Sequence, residues 1–192
     1  MEKPRITVAV PSETAAEKLK YVLQRNGYAV GDLCASGNEA LRKVRLSAPD
    51  ILLINFDLPD VTGLEVGKII GDENLCSVIL FITSAQKDFC VSTAQDYDIT
   101  LFQKPVNQIV LLSMIETVLQ NRRRMQLLLK ELGDLKQGLE ERKAIERAKG
   151  ILMKRKSISE DEAYRRIQKM SMDSRVAMRD IAMKIIELSH HK

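Results

Sequence analysis

PDILLINFDLPDVTGLE, residues 49–65, is the stretch whose reading decides the fold. Within it, ILLIN (51–55) is a continuous apolar run, the pattern of a strand buried on both faces. Runs of the same kind recur in ITVAV (6–10), VILFI (78–82) and the shorter ITLF (99–102), and AVGDL (29–33) reads as a weaker fifth. Helical patterns lie between them near 13–26, 36–47, 63–71 and 86–96, with Thr14, Asn26-Gly27, Ser36-Gly37 and Gly71-Asp72 as starts and stops. Five βα units at this spacing predict an α/β domain over residues 1–120, a five-stranded parallel sheet covered by helices on both faces. Functional groups in such sheets collect beyond the C-terminal strand ends, where the loops leave.

After Pro105 the strands stop, and no proline interrupts the helical pattern from Val106 to about Arg155. A heptad seam runs through Leu111, Met114, Val118, Asn121, Met125, Leu128, Leu132, Leu135, Leu139 and Arg142, predicting a coiled-coil linker helix over 111–142 and a homodimer. At 1.5 Å per residue the rod is near 50 Å, which is hard to bury against its own domain, although a single helix folding back is the other reading. Gly133 and Gly138 weaken it by about 1 kcal/mol each. Asn121 on the seam is placed to set register or strand number. The pattern leaves open whether the strands run parallel or antiparallel.

Two more helices follow. Ser159-Glu160-Asp161-Glu162 fits a capping box, and the helix it opens sets Ala163, Ile167 and Met170 on one face. A last helix near 176–188 carries Ile181, Ile185 and Leu188 at helical spacing. Helices this short need one another to stay folded, so an all-α three-helix domain is expected over 139–192.

The net charge of +4 hides an asymmetry: residues 121–192 carry 19 Lys and Arg against 11 Asp and Glu, whereas residues 1–120 carry 11 against 15. A basic tail on a mildly acidic domain points to a polyanion partner, against the plainer reading of a basic helix that is merely well solvated. The hydrophobic fraction of 45% argues against disorder, and no run approaches the length of a membrane span. The first residues, MEKPRITVAV, lack the layout of a secretory signal, so a cytoplasmic protein with no membrane contact is expected. Cys34, Cys76 and Cys90 have no metal-ligand spacing and read as reduced, buried thiols, with a redox site as the alternative. His190 and His191 make a poor metal set and read as a solvated tail. Neither a metal nor a cofactor is expected.

PDILLIN followed by PDVTGLE, Thr83 after the fourth strand, and Lys104-Pro105 after the fifth resemble the response-regulator receiver domain, a flavodoxin-like fold. The resemblance implies a phosphoacceptor aspartate at the end of strand three, an acid pair after strand one for Mg²⁺, and a Thr and a Lys for the phosphoryl oxygens. Carried over by position, the phosphoacceptor place holds Asn55 and the acid pair falls on Val10 and Pro11. Only Thr83 and Lys104 match, and Leu101 stands at the family's switch aromatic. An amide is not a carboxylate nucleophile, and Val10 and Pro11 offer Mg²⁺ no side-chain oxygen. The domain is therefore expected to act without phosphorylation, as a dimerisation or docking module open to a regulatory protein partner. Asp57 is the substitute phosphosite to consider, and Lys104 has either Asp57 or a loop carbonyl to bond.

From Leu139 onward the chain resembles the ANTAR domain of transcription antitermination regulators. The resemblance rests on Glu141, Arg142, Ile145, the run AKGILM (148–153), Ser159-Glu160-x-Glu162-Ala163-Tyr164, Ser171-Met172-Asp173 and Ile181-Ala182. It implies binding to hairpins in nascent leader mRNA that keeps a terminator from forming. Lys149 is the first choice for RNA contact, with Arg147, Arg155, Arg165, Arg166, Lys169, Arg175 and Arg179 as further candidates, and Lys154 and Lys156 add charge. Ala148, Gly150, Leu152, Met153, Ala163, Tyr164 and Ile181 are expected in the core. Ala148 and Gly150 suit close packing or close RNA approach. Tyr164, the only aromatic residue after Phe102, is alternatively a stacking platform. No enzyme active site is expected. The competing functions are a DNA-binding response regulator and a protein-interaction adaptor.

Overall fold

The computed structural model describes residues 3–190, except for the side chain of His190, so the tail reading of His190 and His191 lies outside it. The element order is β1 (Arg5–Ala9), α1 (Glu13–Arg25), β2 (Ala29–Cys34), α2 (Gly37–Ser47), β3 (Ile51–Asn55), α3 (Gly63–Asp72), β4 (Ser77–Ile82), α4 (Lys87–Asp96), β5 (Ile99–Gln103), α5 (Gln108–Lys156), α6 (Glu160–Ser174) and α7 (Met178–His190). The chain divides into two compact units, Met1–Arg124 and Met125–Lys192. Among the described residues no helix is long and apolar enough to cross a membrane.

In the first unit all five strands pair in parallel, in the order β2-β1-β3-β4-β5. Side chains alternate across a strand, so the continuous run of β3 feeds two cores at once. Leu52 and Ile54 join Leu41, Leu64, Ile70 and Cys90 on one face, beneath α2, α3 and α4. Ile51 and Leu53 join Leu23, Phe81, Phe102 and Leu111 on the other, beneath α1 and the start of α5. Gly63 is needed where α3 begins, because a Cβ there would lie 2.2 Å from the Asn55 carbonyl oxygen. Thr62 and Glu65 close a capping box at that helix start.

The expected seam is corrected at its N-terminal end. Leu111 is 1% exposed in the core of the first unit, with Ile115 and Leu119 beside it and Met114 and Val118 packed on its margin. The second face of the sheet needs a helical lid, and the spacing 111, 115, 119 supplies one. The free part of the seam starts at Met125. From there Met125, Leu128, Leu132, Leu135 and Leu139 are each at least half exposed.

In the second unit Ala148 and Leu152 of α5, Ala163 and Ile167 of α6, and Ile181, Ala182 and Ile186 of α7 form one small core. The Ser159–Glu162 capping box is present at the start of α6. Arg175 ends that helix in the left-handed region, at φ 54°, with its N–H donating to Ser171 and Met172 carbonyls. Four expectations for this core are revised. Tyr164 is 43% exposed and Met153 also faces outward, since α6 and α5 turn Ala163, Ile167, Ala148 and Leu152 inward instead. Ile186 is buried where Leu188 was expected, and Leu188 is exposed. A Cβ on Gly150 would meet nothing within 4 Å, so the chain's own packing does not require this glycine.

Candidate functional site

At the C-terminal ends of β1, β3, β4 and β5 stand Val10, Asn55, Thr83 and Lys104, the positions the sequence singled out. Asn55 is buried at the end of β3. Its amide nitrogen donates to the Asp57 carbonyl at 2.8 Å, and its Oδ1 accepts from the Lys104 ammonium. Lys104 is held in place by its backbone N–H, which donates to the Ile82 carbonyl at 2.8 Å. Neither partner expected for Lys104 is the observed one. The Asp57 carboxylate instead accepts from the Gln86 amide at 3.1 Å through both oxygens, and Gln86 also accepts from the Thr83 N–H.

A Mg²⁺ ion does not fit this arrangement. The acid-pair positions supply Val10, which is buried, and Pro11, neither with a side-chain oxygen. The remaining oxygen, Oδ1 of Asn55, is already bonded to an ammonium. Among the described residues no group of three His, Cys, Asp or Glu side chains gathers to hold an ion.

Asp60 has a structural duty that sequence reasoning missed. Its carboxylate accepts from the Gly37 and Asn38 N–H groups at 2.8 and 2.9 Å, which ties the loop after β3 to the start of α2. Those backbone donors, Asn38 first, hold its carboxyl well below the usual aspartate range. The three thiols are buried; burial is the main cause that pushes Cys34 and Cys76 up to about 12 and also raises Cys90.

The second unit offers the basic face. Lys149, the first choice for RNA, is buried, and its ammonium donates to Glu146 at 2.7 Å and to Glu160 at 2.6 Å. Hydrogen bonds to Glu146 and then Glu160 raise its pKa above the ordinary lysine value. This lysine is a clasp between α5 and the first turn of α6, which corrects the expectation of an open contact. Glu146 lies three residues before it and was visible in the sequence; Glu160 comes from another helix and was not. Arg155 donates to the Leu188 and Ser189 carbonyls at 3.3 Å, serving the C-terminal end of α7.

The other candidates are open. Arg147, Lys154, Lys156, Arg165, Arg166, Lys169, Arg175 and Arg179 are all exposed. Among the described residues none of them has a carboxylate within ion-pair distance; the ion pairs of this unit belong to Lys143 and Lys149. Arg165, Arg166 and Lys169 share one side of α6, Lys169 lying three residues from Arg166 and four from Arg165, and Tyr164 is exposed on the same helix.

Known proteins match this chain in two places. Residues 8–116 match the response regulator receiver domain and residues 133–186 match the ANTAR domain. The transcriptional regulatory protein PdtaR of Mycobacterium tuberculosis is 25% identical over 183 residues, covering 95% of this chain and 89% of that protein. The nitrate regulatory protein of Klebsiella oxytoca is 37% identical over 73 residues, 38% of this chain and 18% of that protein. Among solved structures, a response regulator receiver domain protein from Clostridium thermocellum superposes with a TM-score of 0.60 at 18% identity, covering 64% of this chain and 98% of that one. With the sheet order and both domain matches agreeing, the chain belongs to the response-regulator receiver family and carries an ANTAR domain.

Proposed function

We propose that this chain is an RNA-binding transcription antitermination regulator that acts without receiver phosphorylation. It binds hairpins in nascent leader mRNA through the ANTAR domain and keeps the terminator from forming. The observation that carries this reading is the set of exposed cations without carboxylate partners among the described residues, with Arg165, Arg166 and Lys169 gathered on α6, the helix that also exposes Tyr164. Phosphates take the place of the missing carboxylates, and an unstacked loop base has an aromatic ring and guanidinium planes to lie on. Arg165, Arg166 and Lys169 form the centre of that face, Arg147, Arg175 and Arg179 extend it, and Lys149 supports it from beneath. The exposed leucines from Met125 to Leu139 support a homodimer that presents two such faces. Asn55, Val10 and Pro11 support regulation by a route other than an acyl phosphate, with a protein partner as the carrier.

The test is a gel-shift titration of the full chain on a leader hairpin, with duplex DNA of equal length as competitor at matched salt. The triple variant Arg165→Gln, Arg166→Gln, Lys169→Gln is expected to bind about 100-fold more weakly. Its plot of log affinity against log salt should be shallower by about two to three units. Equal affinity of parent and variant, or preference for the DNA duplex, overturns the reading. Incubation with acetyl phosphate and Mg²⁺ should leave no acid-labile phosphoryl adduct.

A further inference from the structure

The end of the sheet where a receiver would hold its acids is a cavity of about 410 Å³. Its floor is made by Val10, Phe81 and Leu111, all buried. One wall is a stripe of α1 at helical spacing, Ala15, Lys18, Leu19 and Val22. The opposite side includes Asn55, Lys104 and Val106. Two of the lining side chains are cationic, Lys18 and Lys104, and no Asp or Glu among the described residues lines the cavity.

The charge balance is what makes this more than a gap. Lys104 is bonded to a neutral amide, so its positive charge is not cancelled, and an ammonium has three donors of which Asn55 takes one. A cation beside an apolar floor favours an anion that brings apolar surface of its own. A Mg²⁺-phosphate pair brings none. The volume falls within the range of small-molecule sites, which are mostly apolar with a few placed polar groups.

We propose that this cavity binds a small amphipathic carboxylate. The carboxylate sits at Lys104 with Lys18 at the rim, and an apolar body of roughly eight carbons lies over Val10, Phe81 and Leu111. The apolar replacements Val10 and Pro11 thereby convert a metal and phosphoryl site into an effector site. Such an effector would act on the first unit by filling the seam between α1 and the start of α5.

Calorimetric titration of the full chain with octanoate tests this, with octanol, octylammonium and inorganic phosphate as separate arms. Octanoate is expected to bind at least about tenfold more tightly than octanol, and octylammonium and phosphate not to compete. Lys104→Met should lower octanoate affinity about tenfold or more. Lys18→Met, at an exposed position on α1 outside the core, should lower it several-fold. Ala15→Phe, which fills the cavity, should abolish binding. Octanol binding as well as octanoate, displacement of octanoate by phosphate, or unchanged affinity in Lys18→Met and Ala15→Phe overturns the proposal. The titration contains no RNA, so its failure leaves the antiterminator reading standing.

Discussion

Lys104 in the first unit and Lys149 in the second were both marked by the sequence as anion-binding lysines, and the structure gives them opposite surroundings. Lys104 bonds to a neutral amide in an apolar cavity, which leaves its charge available. Lys149 is buried between two carboxylates, which more than cancel its charge. A lysine's place in a family pattern therefore does not say whether it is a binding group. The charge of its neighbours does.

Four experiments press on this contrast. The largest effect is expected from Lys149→Met, which leaves Glu146 and Glu160 facing each other without their shared ammonium and so lowers the Tm of the second unit. RNA affinity measured well below that Tm should change by no more than about twofold; a loss as large as that of the α6 triple variant would return Lys149 to the RNA surface. Second, Asn55→Asp should neutralise Lys104 and weaken octanoate binding about tenfold, whereas Asn55→Asp with no change in affinity would break the comparison from the other side. Third, Arg175→Gly relieves the left-handed strain at the end of α6 and should stabilise the unit by about 1 kcal/mol in chemical denaturation, while slightly weakening RNA binding through the lost charge.

The smallest effect is acid titration. The Lys149 hydrogen bond, then its charge, holds Glu160 below the ordinary glutamate value of 4.5. The unfolded chain therefore binds more protons in that range, and the clasp's stability is present above pH 4.5 and lost as pH falls through the lowered value. Asn55 has no such proton to gain, so acid should not release the Lys104 contact by this route. Thermal melts from neutral pH to well below 4.5, compared between parent and Lys149→Met, check it: the pH dependence should be shallower in the variant.

Much of the architecture was legible. Short apolar runs rich in β-branched residues and bounded by turn signals, such as ILLIN, read as strands covered on both sides, and the capping box at Ser159 marks a helix start from four adjacent residues. The departures share one cause. A heptad row does not say what it packs against, so Leu111 read as a seam residue although it covers its own sheet. Tyr164 and Met153 carry apolar bulk, but which side of a helix faces inward is settled by the neighbouring helices.

By itself the sequence determined the order of strands and helices, the caps, the absence of a side-chain carboxylate at Val10, Pro11 and Asn55, and the basic tail. These are properties of single residues and short spacings. Only the tertiary structure decided that Glu160 reaches Lys149, that Asn55 takes the hand of Lys104, and that a cavity opens beside them. Those contacts join residues far apart in the chain, and an ion pair or a cavity exists only once the backbone has brought its members together.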